Sequence, residues 1–191
     1  MVFVDPLTIM LVAVAASAGL IAMYLVKAAR GSKSFIELAV PSMVIGAFDF
    51  VSGFFMSFGW PFPGPMSAYN MLFGDPMLFL GLIMVGGGYM LYKGIDIKVL
   101  SYFGFLLGIY LFIESYAMVA FKLESGQYFL PAFSFYLLSA LVAFLSPLMY
   151  MNPKKGGKSV YYFMALLLVL VAFLALFIGS AGIYGHLASP P

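Results

Sequence analysis

No cysteine occurs in the 191 residues, and histidine and tryptophan occur once each. Without thiols there are no disulfides, thiolate zinc sites, iron-sulfur clusters or cysteine nucleophile. A single histidine likewise excludes bis-histidine haem. Charge is scarce too: charged residues make up 8% of the chain, against about 25% in ordinary soluble domains. The chain also lacks a glycine-rich phosphate loop after a strand, a Ser-His-acid set at compatible depth, and a basic face suited to nucleic acid. No cofactor is indicated, and the reading leans away from an enzyme.

What is present is apolar. Hydrophobic residues make up 64% of the chain, and the mean hydropathy is +1.10. A helix needs roughly 20 residues to cross the hydrocarbon, and a continuously apolar chain crosses mainly as helices. The sequence therefore predicts one all-α domain, a polytopic transmembrane helix bundle. Its six spans fall at about 6–26, 35–58, 76–93, 97–121, 131–151 and 160–183. Asp5 with Pro6, Ser34 with Glu37, and Asp75 with Pro76 read as helix starts, Pro41 as a kink, and Asn152 with Pro153 as a stop.

Lys27, Arg30, Lys33, Lys93, Lys98, Lys154, Lys155 and Lys158 all fall in the first, third and fifth connections, and Lys122 alone on the other side. The positive-inside rule then sets both termini outside. The leading residues carry no positive charge, so the first span reads as a retained helix and not a cleaved signal. Inner basic residues also suit contact with anionic membrane lipids.

Seven acids remain to be sorted. Asp5 and Asp75 read as caps, Glu37 as a first-turn residue, and Asp96 and Glu124 as members of polar connections. Asp49 and Glu114 lie well inside spans, where a carboxylate costs about 2.5 to 3.5 kcal/mol on insertion scales. Counting places them about 4 Å and about 7 Å past the midpoints of their helices. If those helices are neighbours, the two carboxyls are expected to form a station for a proton or a cation, with Tyr110 and Ser115 as donors beside Glu114. The plainer alternative is that each acid only ties helices together. Ser42, Gly46, Asp49, Gly53 and Ser57 recur at intervals of three and four, a small-residue stripe that lets membrane helices approach closely. Gly104 and Gly108 form a second such face. His186 shares a face with Ala172, Ala175, Gly179 and Gly182 but stands too far along its helix to join the two acids in a metal site.

The longest outer connection is "GWPFPGPMSAYNMLFGD". Its prolines oppose regular helix, and Trp60, Phe62, Tyr69 and Phe73 supply interfacial aromatic surface. It reads as a cap over the outer mouth, either anchoring or gating. The order Trp60-Pro61, Pro63-Gly64, Tyr69-Asn70 and Phe73-Gly74-Asp75-Pro76 resembles an uncharacterised family of small archaeal integral membrane proteins, a domain of unknown function. The resemblance implies a multi-pass protein of the cell membrane from an archaeal source, with no ligand or reaction attached. "FVDPL" at 3–7 and "FGDPM" at 73–77 further suggest three hairpins, the first two a parallel repeat in which Asp49 and Glu114 correspond.

Two functional classes follow. As a transporter, the chain would use Asp49 and Glu114 as a proton or cation station. As a subunit or scaffold, it would use its glycine-rich faces to pack against a second copy or other subunits of a membrane complex.

Overall fold

The structure is a computed structural model, which describes residues 6–151 and 157–188. The expectations for Asp5, Asn152 and Pro153 lie outside the described residues. Among the described residues seven α-helices follow in order: α1 (Leu7–Ala29), α2 (Ile36–Gly59), α3 (Ala68–Lys93), α4 (Leu100–Ala120), α5 (Phe129–Leu145), α6 (Leu148–Met151) and α7 (Gly157–Ala188). α6 is a single turn. Six segments are long and apolar enough to cross a membrane, and no strand occurs among the described residues.

Two helix starts and one helix end differ from expectation. α2 begins at Ile36 with no side-chain cap, and Glu37 pairs with Lys27 instead, bridging the turn from α1. α3 begins at Ala68, so Asp75 and Pro76 lie inside it and cap nothing. α7 runs unbroken to Ala188, which leaves His186 in its last turn. Pro6 therefore precedes a helix while Pro76 lies inside one, and the two similar segments are not equivalent starts.

The spanning helices close into a ring in chain order, with α7 returning to α1. Within it, α2 with α3, α1 with α7, and α4 with α5 pack as tight pairs, while α1 meets α2 and α3 meets α4 more loosely. The tight pairs are thus not the three hairpins the sequence suggested.

Glycine spacing explains the closest pair. Ala39, Gly46 and Gly53 on α2 recur every seven residues, as do Gly74, Gly81 and Gly88 on α3. A seven-residue period keeps one seam on the partner along the whole length. A Cβ at Gly46 would sit 2.6 Å from Met84 Cβ, one at Gly88 2.6 Å from the Ala39 carbonyl oxygen, and one at Gly81 on the Phe50 backbone nitrogen. Gly108 meets the Phe144 backbone in the same way on α5. The stripe on α2 consequently divides: Gly46 and Gly53 face α3, whereas Asp49 turns to α1.

Candidate functional site

Asp49 and Glu114 occupy different seams. α2 packs against α1 and α3, and α4 packs against α3 and α5. Counting from the observed helices, Asp49 lies about 2 Å from the midpoint of α2 and Glu114 about 8 Å from that of its span. The expected pairing of these two acids is therefore not realised, because α3 stands between their helices.

Asp49 is fully buried, and its Oδ2 accepts a 2.6 Å hydrogen bond from Ser17 Oγ of α1, itself fully buried. Oδ1 has no partner. Hydrogen bonding offsets the desolvation of a buried polar group, so this contact pins α1 to α2 near mid-membrane.

Glu114 is 7% exposed, and its Oε2 is buried without a hydrogen-bond partner. The donors expected from sequence serve elsewhere. Ser115 Oγ donates to the Leu111 carbonyl of its own helix at 2.8 Å. Tyr110 donates at 2.7 Å to Asp75 Oδ2, across the α3–α4 seam. Glu114 lies within electrostatic reach of Asp75, of Tyr110 and of Tyr136 on α5. The cluster is thus Asp75, Tyr110 and Glu114, and sequence reasoning missed Asp75 by reading Asp-Pro as a helix start.

Pro76 shapes the same place. Lacking an N–H, it cannot bond the carbonyl of Leu72 four residues earlier. The Tyr136 hydroxyl donates to that carbonyl at 2.6 Å. Tyr136→Phe is expected to leave it unpartnered and to lower stability by about 1–3 kcal/mol, read as an earlier midpoint in detergent unfolding. Between described residues, no basic side chain forms an ion pair with Asp49, Asp75 or Glu114. No group of three His, Cys, Asp or Glu among them is arranged to hold a metal.

Above α2 and α3 the proline-rich connection is clamped in place. Asn70, fully buried, accepts from the Phe62 N–H at 3.1 Å and donates to the Phe62 carbonyl at 2.8 Å and to that of Ser67 at 3.1 Å. Phe62 was expected at the interface; it is instead fully buried with Met10, Met56 and Met77. Trp60 ends α2 in the left-handed region with φ 49° and stays 47% exposed. Tyr69 donates to the Leu123 carbonyl at 3.2 Å and to Glu124 at 3.3 Å, tying α3 to the α4–α5 connection.

The chain belongs to the DUF981 family. The family is described as protein of unknown function, and its model matches residues 1–189. No curated protein and no solved structure matches the chain. Family membership accordingly adds a class and no chemistry, and the clamp is explained by its own contacts. Asn70→Ala removes the three hydrogen bonds that hold the segment, at a cost of about 1–3 kcal/mol for each group left unsatisfied. Limited proteolysis is expected to cut the 60–67 segment of this variant much faster than that of the parent.

Proposed function

We propose that the protein carries out proton- or cation-linked transport, with Glu114 and Asp75 as its carboxylates and Tyr110 as the hydroxyl that positions Asp75. One observation carries the reading: a carboxylate, 7% exposed with an oxygen free of any donor, lies within electrostatic reach of a second carboxylate that precedes the proline inside α3. A buried charge is paired, coordinated or neutralised. With no basic partner in reach among the described residues, a proton or a hard cation taking oxygen ligands fills that role. Ionisable residues inside membranes mark ion and proton pathways.

In this reading Asp49 has a separate role as the hydrogen-bonded link between α1 and α2. The clamped 60–67 segment favours an anchoring cap over a moving gate. The resemblance of the loop supports residence in the cell membrane of an archaeal source, which fractionation of the source cells tests. Proteoliposomes holding a pH- or sodium-sensitive dye test the function itself. Flux above that of empty vesicles, lost in Glu114→Gln, is the expected result. Flux equal to empty vesicles, together with stoichiometric partner proteins after gentle purification, would favour the scaffold reading.

A further inference from the structure

The ring surrounds a partly open cavity of about 250 Å³, to which every spanning helix contributes wall. Its sides are mostly hydrocarbon, with Met84, Leu107, Leu111, Leu168 and Val171 among them, and four of its hydroxyls are already engaged. Ser139 donates to the Phe135 carbonyl at 2.7 Å, Ser101 to that of Lys98 at 2.7 Å, and Ser146 to that of Ser101 at 2.8 Å. Tyr136 donates to the Leu72 carbonyl.

A buried water needs two to four polar partners, and apolar cavities of about 150 Å³ stay dry and take up benzene or xenon. The present wall offers water little, and the space is larger. Its surroundings, unlike those of a soluble protein, are a solvent of hydrocarbon chains. The loosely packed α1–α2 and α3–α4 seams give such a chain a route from the bilayer.

We propose that the cavity binds one hydrocarbon chain of a membrane phospholipid, selected by apolar shape and not by hydrogen bonding. This does not depend on the transport reading, since neither Glu114 nor Asp75 lines the space. Heavy contact with lipid occurs on the outside of any spanning helix, so the test separates inward from outward positions.

The full chain is reconstituted in dioleoylphosphatidylcholine vesicles doped with a phosphatidylcholine bearing a diazirine on one acyl chain, then illuminated and mapped by mass spectrometry. The expected result is labelling of the inward Leu107, Leu168 and Val171 as well as the outward Leu106 and Leu170. Val171→Phe and, separately, Leu107→Phe should lower labelling of the other inward residues severalfold, because the added ring occupies volume that the chain would take in a closely packed interior. Outward labelling should not change. Labels confined to outward residues in the parent protein, or inward labels unaffected by both fillings, would overturn the proposal; the first result needs no variant to fold.

Discussion

Gly81→Leu is expected to abolish recovery of folded protein. The α2–α3 pair has backbone against backbone, and the first carbon of any side chain at Gly81 falls on the Phe50 nitrogen, with the Gly46 carbonyl oxygen 2.8 Å away. Overpacking costs about 1–3 kcal/mol when neighbouring side chains can shift. Here the obstacle is a helix backbone, so relief means parting two helices along a seven-residue repeat. With net stabilities of only about 5–15 kcal/mol, such a loss is decisive. Gly53→Leu should behave alike, because its Cβ meets the Leu78 backbone. Gly19→Ala is the control: a Cβ there meets nothing within 4 Å. The yield of monodisperse protein after detergent extraction reads all three.

Glu114→Gln has the second large expected effect, and on function rather than folding. Glutamine keeps the size of the side chain and removes the site for a proton or cation, so the helix packing around Met118 and Leu111 is retained. If the cluster couples ion binding to movement of another solute, losing that interaction should cost about 5–150-fold, the usual range of a coupling free energy of 1–3 kcal/mol. Extraction yield and unfolding midpoint should stay near those of the parent. A variant that purifies well and transports at the parent rate would remove Glu114 from the pathway.

Much of the fold was legible because the bilayer demands long apolar runs, and runs of that length are visible in one sequence. The burial of Asp49 and Glu114 followed from position alone. Their partners did not, because helix neighbours in a ring depend on contacts far apart in sequence. Asp75 is the instructive miss. An acid before proline has the pattern of a helix start, and only the position of Ala68 at the true start places the same pair in a helix interior. Asn70 was named from its motif, but its work in holding the Phe62 backbone required the folded loop.

Flux through reconstituted Asp49→Asn, Asp75→Asn and Glu114→Gln, measured side by side at matched protein content, tests the assignment most directly. Loss in Asp75→Asn and Glu114→Gln with near-parent flux in Asp49→Asn is the predicted result, since asparagine still accepts the Ser17 hydrogen bond. Loss in Asp49→Asn and Glu114→Gln, with Asp75→Asn at the parent rate, would contradict it and return the function to the two acids that α3 separates.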